Sequence, residues 1–236
     1  MNDETERARI AALVRASAAD LEQRRVRSEL ATYAAIVFAE SGKRLRVGPY
    51  VFRTDRVDGK SPVNSDNDEA VAISVLLLIA SQLISASAEL LVGGRPYAGA
   101  ALLRQVVEVE YLAWAFETRD EDAATWLRSD KKLREKFFRP AKLREAAKGK
   151  FRGRDYGFHC ELGGHPVPQG TILLDNDIET AQLLLSDLLG HAGRIWDHLV
   201  RWAYEHDRYG RMILTDHPER LLPLSPVGLN VVVLER

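Results

Sequence analysis

Basic side chains that could bind a polyanion are concentrated between Arg128 and Arg154. This stretch holds twelve basic and three acidic residues, a net charge of +9, whereas the whole chain of 236 residues has a net charge of −1. Such clustered like charges repel one another unless a polyanion or an acidic surface faces them. The predicted nucleic-acid-binding residues are Lys131, Lys132, Arg134, Lys136, Arg139, Lys142, Arg144, Lys148, Lys150 and Arg152.

Three aromatic residues, Phe137, Phe138 and Phe151, are interleaved with these basic residues. Exposed rings among basic side chains would stack on nucleic-acid bases. The same rings would equally suit the buried side of short amphipathic helices. Two interpretations of the stretch therefore stay open: a solvated basic face, or a binding site for RNA or another phosphate-rich partner.

A pair of opposite charges lies in the apolar segment LLRQVVEVEYLAWAF, residues 102–116. Arg104 and Glu108 are four residues apart, so they share one face of a helix. Buried charges are expected to be paired, because an unpaired one is strongly destabilising. The pair is therefore either a structural ion pair or a support for an active site, where it would orient a residue from the segment 149–170. Glu110 is expected to face solvent or an interface.

The segment RGRDYGFHCELGGHP, residues 152–166, combines arginine, tyrosine and histidine. Four residues separate Arg154 from His159, a spacing that resembles the Arg-x4–6-His signature of HEPN nucleases, which are helical bundles that cleave RNA without metal. The resemblance implies that His159 handles the proton of the attacking ribose 2′-hydroxyl and that Arg154 stabilises charge on the phosphate. Tyr156 would position the substrate. Arg201 and His206, on the last long helix, form a competing pair.

The middle of the chain also resembles uncharacterised bacterial helical families that are linked to the HEPN superfamily. The matching residues run from YAGAALLRQVVEVEYLAWAFETRDEDAATWL, which contains Arg104 and Glu108, to YGFHCELGGHP, which ends with His165 and Pro166. The resemblance implies an α-helical, often dimeric, cytoplasmic protein, sometimes of the toxin or phage-defence kind. In the nuclease hypothesis, Arg104, Glu108 and His165 are supporting residues of the site.

Metal chemistry has less support in the sequence. His159, Cys160, Glu161 and His165 offer atoms that ligate zinc, but a fourth conventional ligand and a recognised spacing are missing. The single cysteine excludes an intramolecular disulfide and a Cys-rich zinc module. Neither a metal nor a cofactor is predicted, since the chain also lacks a Walker loop, a dinucleotide fingerprint and a Gly-x-Ser-x-Gly elbow.

Two further histidines, His191 and His198, are seven residues apart on one helical face, and Asp187 lies one turn before His191. We interpret them as core or surface histidines of the last long helix.

The elements that position these residues are predicted to form one all-α bundle over residues 1–236. Apolar residues at three- and four-residue steps predict one long N-terminal helix, or a pair, from Asp3 to a stop near Ser41-Gly42. Two apolar helices, 65–92 and 96–118, are joined by a short glycine turn and are expected to be central, antiparallel neighbours. A last long helix is capped by Asp175 or Asn176 and ends near His206.

Turn signals predict the remaining segments. Residues 43–65 and 149–170 read as irregular loops because they are rich in glycine and proline. Residues 210–236 form a C-terminal extension whose NVVVLE segment could pair as an edge strand with residues 50–53 or dock on a partner chain, and 47–59 could form a hairpin. Shorter helices are expected from Asp120 to Leu127 and from Pro140 to Lys148.

These observations support two functions of different classes. The first is a metal-independent RNA-cleaving or RNA-binding domain of the toxin or defence type. The second is a non-catalytic, dimerising interaction module that binds an acidic partner or nucleic acid through residues 128–154, and a metal enzyme is a distant third. We expect a homodimer with RNA or a cognate protein as partner. We also expect a cytoplasmic location without membrane contact, because the apolar run Ala70–Ile84 is shorter than the roughly 20 residues of a bilayer span.

Overall fold

The computed structural model describes residues 3–47, 65–119, 122–151, 153–174, 178–206 and 214. These parts are almost entirely helical and contain no strand, so the predicted all-α bundle is confirmed. The α-helices are α1 (Asp3–Val47), α2 (Ser65–Val92), α3 (Pro96–Thr118), α4 (Asp122–Arg128), α5 (Lys131–Phe137), α6 (Pro140–Ala146), α7 (Gly153–His159) and α8 (Ile178–His206). A π-helical turn (Cys160–Gly164) and a 3₁₀ helix (Pro168–Leu173) connect α7 to α8.

Four long helices form the core of the bundle. α1 packs on α2 and α8, and α3 packs on the same two helices from the other side, so that the four close a ring. The largest fully buried side chains at their contacts include Phe38, Leu77, Leu103, Leu185 and Trp202. Each such burial contributes about 1.5–3 kcal/mol. Short segments that follow α3 cover further surface of the bundle. α6, α7 and the π-helical turn pack on α3, and α4 packs on α2.

The turn between α2 and α3 is built as the sequence predicts. Gly94 has a φ of 72°, a left-handed conformation that glycine adopts without steric cost, and the Arg95 amide donates to the Leu90 carbonyl at 2.9 Å. Pro96 then occupies the first turn of α3, where its missing N–H is not needed. This tight turn makes α2 and α3 antiparallel neighbours.

The first helix does not stop at Ser41-Gly42, as the sequence suggested, but continues to Val47. Gly42 allows a close approach of α1 to α2, because a Cβ atom there would lie 3.0 Å from the Ser74 carbonyl oxygen and from Leu78. The Ser74 hydroxyl also donates to the Gly42 carbonyl at 2.8 Å. The glycine is therefore a packing residue rather than a helix terminator.

The segment 149–170 is not an irregular loop, which corrects a second prediction. It contains α7, the π-helical turn and the start of the 3₁₀ helix. Close packing on α3 explains why residue 163 is a glycine. A Cβ at Gly163 would lie 2.8 Å from the Ala101 amide nitrogen and from the Ala100 side chain. Gly170 similarly faces Tyr97. A Cβ at this position would overlap with the Tyr97 ring, at 2.6 Å from its nearest atom. The glycines let this segment pack directly on α3.

The remaining predicted segments are described only in part. In the predicted loop 43–65, residues 43–47 belong to α1 and residue 65 begins α2. Residues 48–64 lie outside the described residues. The same is true of residues 48–59 of the predicted hairpin, which include the strand partner 50–53, and of the C-terminal extension except for Leu214. The basic run contains a helix that was not predicted separately, α5, which Asp130 caps by accepting a hydrogen bond from the Leu133 amide at 2.7 Å.

The apolar part of α2 is longer than the run Ala70–Ile84 that the sequence suggested. Asp68–Val92 spans 25 residues and is long and apolar enough to cross a membrane by length and composition, although 56% of its most apolar window is buried within the bundle. Ser87 does not interrupt it, because this side chain is buried and donates to the Gly99 carbonyl at 2.9 Å. A core helix of a bundle has the same properties, and the location of the protein stays a prediction.

We predict that Gly163→Ala destabilises the bundle by about 1–3 kcal/mol, because the new methyl group would have to displace the α3 backbone. Gly157→Ala is the matched control, since no described atom lies within 4 Å of a Cβ at that position. The control should be neutral or stabilising by up to about 1 kcal/mol, because alanine favours a helix over glycine. Urea unfolding monitored by circular dichroism measures both values, and equal stability of the two variants would contradict the packing role of Gly163.

Candidate functional site

A cavity of about 400 Å³ opens between α3, α8 and the segment that follows α6. Its lining combines acidic, basic and imidazole side chains with two aromatic rings. The lining residues are Val107, Glu110, Tyr111, Lys150, Phe151, His159, Asp187, His191, Arg194 and His198. A volume of this size lies within the range of small-molecule sites.

A seven-residue repeat brings the charged lining residues together. Glu110 and Glu117 are seven residues apart on α3, so they lie on the same face two turns apart. On α8 the pattern His-x2-Arg occurs twice with the same seven-residue spacing, at 191–194 and 198–201. The two helices pack against each other, and each glutamate of α3 meets one histidine and one arginine of α8.

The first contact of this repeat is centred on Glu110, whose exposed fraction is only 4%. Its Oε2 atom lies 2.5 Å from Nδ1 of His191, and its Oε1 atom accepts a hydrogen bond from Nε of Arg194 at 2.9 Å. Burial alone would raise the pKa of Glu110, but the His191 hydrogen bond and the Arg194 charge outweigh burial and hold this pKa below its ordinary value. The expectation that Glu110 faces solvent or an interface is therefore wrong.

The contacts of His191 determine which ring nitrogen carries the proton. Nδ1 lies close to Glu110 and also 2.8 Å from Nη2 of Arg194. An ionised carboxylate only accepts hydrogen bonds and a guanidinium only donates them, so one ring nitrogen cannot serve both. The shorter contact is that with Glu110, and Arg194 already donates to the same carboxylate. Nδ1 is therefore assigned as the donor to Glu110.

The other nitrogen of His191 faces Asp187 and, across it, His159. Nε2 of His191 lies 3.4 Å from Oδ1 of Asp187, and Nε2 of His159 lies 3.4 Å from Oδ2 of the same carboxylate. The two imidazole rings are 5.3 Å apart between centroids and close to perpendicular. Both histidines are buried, whereas the side chain of Asp187 is 38% exposed. Three proton- or metal-binding groups thus meet at one wall of the cavity.

The pKa values of His191 and Asp187 favour their charged forms. Burial would lower the pKa of His191, but its hydrogen bonds with Asp187 and Glu110 outweigh burial and raise that pKa above its ordinary value. For Asp187, burial acts to raise the pKa, but the hydrogen bond and the charge of His191 outweigh burial and hold this pKa below its ordinary value. The cluster therefore holds an anionic carboxylate between two imidazoles.

The second contact of the repeat is centred on Glu117. Its carboxylate contacts Nδ1 of His198 and accepts a hydrogen bond from Nε of Arg201 at 2.6 Å. Burial would raise the pKa of Glu117, but the hydrogen bonds from His198 and Arg201 lower it to about 2. This contact holds α3 against α8 two helical turns away from Glu110. His198 also lines the cavity.

The predicted pair Arg104–Glu108 contacts Tyr156, a residue of the segment 149–170. Arg104 and Glu108 are 2.5 Å apart, the Tyr156 hydroxyl donates to Glu108 at 2.9 Å, and Arg104 donates to that hydroxyl at 3.3 Å. The Arg144 guanidinium lies 4.2 Å from the centre of the Tyr156 ring. Burial and the neighbouring Glu108 charge raise the pKa of Tyr156 to about 12. The network fastens α7 to α3, and the hydroxyl of Tyr156 is occupied by it.

The other predicted site residues are separated from this cluster or fall outside the described side chains. The backbone of Arg154 belongs to α7, but its side chain is outside the described residues, as is all of Arg152. His165 is exposed and does not line the cavity; its carbonyl accepts a hydrogen bond from Tyr97 at 3.0 Å. In the competing pair, Arg201 binds Glu117, and the side chain of His206 lies outside the described residues.

The basic run forms a surface that reaches the cavity. The exposed members are Lys131, Lys132, Arg134, Lys136, Arg139, Lys142, Lys148 and Lys150, and Arg144 is half-buried. Two of them are paired with neighbouring acids, Arg139 with Glu135 at 3.0 Å and Lys142 with Glu145 at 2.7 Å. Lys150 lines the cavity. We call these nine residues the basic surface.

The three phenylalanines of the run differ in their surroundings. Phe138 is buried, and Phe151 packs on Tyr111 with ring centroids 4.2 Å apart. Only Phe137 among the three is exposed, at 38%, with the Lys136 ammonium 4.8 Å from its ring centre. Two of the rings therefore belong to the packing between the basic segment and α3, and one is available to stack on a base.

Five charged or imidazole residues that line the cavity were not predicted as site residues: Glu110, Asp187, His191, Arg194 and His198. The sequence contains a signal that would have found all of them except Asp187, namely the seven-residue repeat of glutamate on one predicted helix and of His-x2-Arg on another. Matching repeats of complementary charge at one spacing indicate two helix faces that pair. Comparison of the chain with protein families, curated proteins and solved structures finds no match, so the assignment of the site depends on its geometry alone.

We predict that the stabilising effect of Glu117 is lost in acid. Its pKa falls from 4.5 to about 2 on folding, so its contribution is fully present above pH 4.5 and disappears as the pH falls toward 2. Glu117→Gln should lower the free energy of unfolding by about 1–2 kcal/mol at pH 7, after allowance for screening at the partly exposed Arg201. Denaturant unfolding of both proteins between pH 7 and pH 2.5 measures the difference, and a difference that does not shrink over this range would contradict the assignment.

Proposed function

We propose that the chain binds RNA on its basic surface and cleaves it at the cavity between α3 and α8, in the manner of HEPN-like, metal-independent ribonucleases. The observation that supports this proposal most strongly is the position of His159. The residue belongs to the segment that follows the basic surface, is buried at 5% exposure, and lines a cavity that also contains Lys150, Asp187 and His191.

Two imidazoles at one cavity wall suit both proton transfers of RNA cleavage. In the proposed reaction His159 accepts the proton of the ribose 2′-hydroxyl while the 2′-oxygen forms a bond to phosphorus. The bond from phosphorus to the 5′-oxygen breaks, and protonated His191 donates a proton to that leaving oxygen. The products are a 2′,3′-cyclic phosphate and a 5′-hydroxyl. Acid–base catalysis of this kind contributes about 10²–10⁴-fold to the rate.

The neighbouring charges have matching roles. The Asp187 carboxylate, 3.4 Å from His159, stabilises the imidazolium that forms when the ring takes up the proton. Lys150 supplies positive charge at the cavity where the phosphate would lie. The network of Arg104, Glu108 and Tyr156 positions α7 and, through it, His159, and Tyr156 is a positioning residue because its hydroxyl is held by Glu108.

We predict that His159→Ala loses at least about 100-fold of an RNA-cleaving activity that the wild-type protein shows in excess EDTA, because the proton acceptor is removed. The assay uses mixed cellular RNA and detects 2′,3′-cyclic phosphate ends. Gln105→Ala, an exposed substitution on α3, is the control and should cleave like the wild type. A folded His159→Ala protein with full activity would contradict the proposal, and loss of activity in His206→Ala instead would favour the Arg201–His206 pair.

We predict that Lys131→Gln/Lys132→Gln weakens RNA binding, because both lysines are exposed on the basic surface. If both contact phosphates of a single strand, the slope of log affinity against log salt should decrease by about 1.4. The control is Lys43→Gln/Arg95→Gln, which removes the same charge from exposed positions elsewhere. Fluorescence anisotropy with a labelled RNA at several salt concentrations measures the slopes, and equal slopes for the two double variants would contradict a binding role for this surface.

A dimerising interaction module without catalysis is the second candidate. It is favoured by the pairing of Glu110 with His191 and Arg194, which is also what a purely structural seam between two helices requires. Exposed apolar side chains at Ile172, Leu174 and Leu183 offer contact area for a partner. RNA that stays intact in the assay above, together with RNA binding that depends on the basic surface, would favour this module.

A further inference from the structure

We propose that His159, Asp187 and His191 form a binding site for a transition-metal ion of the zinc class. The three side chains come from two separate parts of the chain, α7 and α8, and each directs an atom that ligates metals toward the same point. One ring nitrogen of each histidine and one carboxylate oxygen of Asp187 all lie within 4.8 Å of one another.

The distances suit a tetrahedral ion. Zinc ligands at 2.0–2.1 Å from the metal are separated from one another by about 3.4 Å at tetrahedral angles. Nε2 of His159 lies 3.4 Å from Oδ2 of Asp187, and Nε2 of His191 lies 3.4 Å from Oδ1 of the same carboxylate. For an ion bound through one carboxylate oxygen, the remaining distances among the three ligand atoms have to shorten by at most about 1.4 Å, which small side-chain rotations achieve.

The surroundings of His191 add a second, independent observation. Metal-binding histidines commonly donate their other ring N–H to a carboxylate, which fixes the tautomer and orients the ring. Glu110 provides this carboxylate, since its Oε2 atom lies 2.5 Å from Nδ1 of His191. Glu110 is itself buried and held by Arg194, so the orientation of the His191 ring is set before any ion binds.

The charges and ligand types select the class of ion. The positive charge of Arg194 is offset by Glu110, which leaves the Asp187 carboxylate as the anionic ligand of a divalent cation. Two imidazole nitrogens and one carboxylate favour zinc and its neighbours in the transition series, whereas magnesium and calcium prefer oxygen ligands only. Three protein ligands at a cavity wall leave a fourth position for water or an anion.

An ion at this point would regulate the proposed RNA cleavage, and this consequence, unlike metal binding itself, rests on the proposed function. A bound ion occupies the Nε2 atoms of His159 and His191, the same atoms that exchange protons with RNA. Cleavage should therefore be highest in a chelator and should fall as zinc fills the site. The same three residues would act as a catalytic centre without metal and as a metal-inhibited site with it.

Calorimetric titration of the EDTA-stripped, dialysed protein with zinc chloride tests the site directly. We expect one ion per chain for the wild type, with no comparable binding of magnesium chloride. Asp187→Asn and His191→Gln should each lower zinc affinity at least about tenfold, whereas His165→Gln, which alters an exposed histidine outside the cluster, should bind like the wild type. Absence of stoichiometric zinc binding by the wild type, or wild-type affinity in both cluster variants, would overturn the proposal.

Two further measurements keep the result interpretable. Cobalt(II) in place of zinc should give the intense visible absorption of a four-coordinate site in the wild type and not in Asp187→Asn, whose folding is checked by circular dichroism. Adding zinc to the RNA assay should then inhibit cleavage, and EDTA should restore it. If RNA is never cleaved while zinc still binds, the proposed function fails and the metal site stands; stimulation of cleavage by zinc would overturn the inhibitory role.

Discussion

The buried carboxylate of Glu110 is the constraint on which the site depends. A carboxylate with 4% exposure between two packed helices needs charged or hydrogen-bonding partners, and removing one such partner typically costs about 3–5 kcal/mol. His191 and Arg194 of α8 are these partners, and Glu117 repeats the arrangement with His198 and Arg201 two turns along. Two such contacts at one spacing fix both the rotation and the axial register of α8 on α3. That register brings Asp187 and His191 to the place where α7 delivers His159.

Much of the architecture follows from local sequence patterns. The Gly-Gly-x-Pro connection predicts the α2–α3 turn because its requirements are local: a left-handed glycine and a proline in the first helical turn. The predictions at Gly42 and Gly163 were wrong. Local rules assign Gly42 to the end of a helix and Gly163 to a loop. Their actual role is to permit close contact with Ser74 on α2 and with Ala101 on α3, which a local pattern does not contain. For this reason the helical segment 153–164 was predicted as a loop.

The site was predicted only in part for the same reason. His159 and the pair Arg104–Glu108 were found because each lies within a short sequence pattern. The partners of Glu110 lie 81 and 84 residues further along the chain, and no local spacing connects them. In the sequence, this pairing is indicated only by the agreement between the two seven-residue repeats on separate helices. The proposed acid–base chemistry and the proposed metal site both depend on this long-range pairing, because it orients the His191 ring.

The protonation state of the His191 ring tests the central claim most directly. Long-range ¹H–¹⁵N correlation spectra of the ¹⁵N-histidine-labelled protein in EDTA, at a pH where the ring is neutral, distinguish the two tautomers. The account predicts that His191, assigned by its absence from His191→Gln, carries its proton on Nδ1, held there by Glu110, and that Glu110→Gln weakens this preference. A proton on Nε2 of His191 in the wild-type protein would contradict the account, since the cluster with Asp187 and His159 would then have no free nitrogen from this ring.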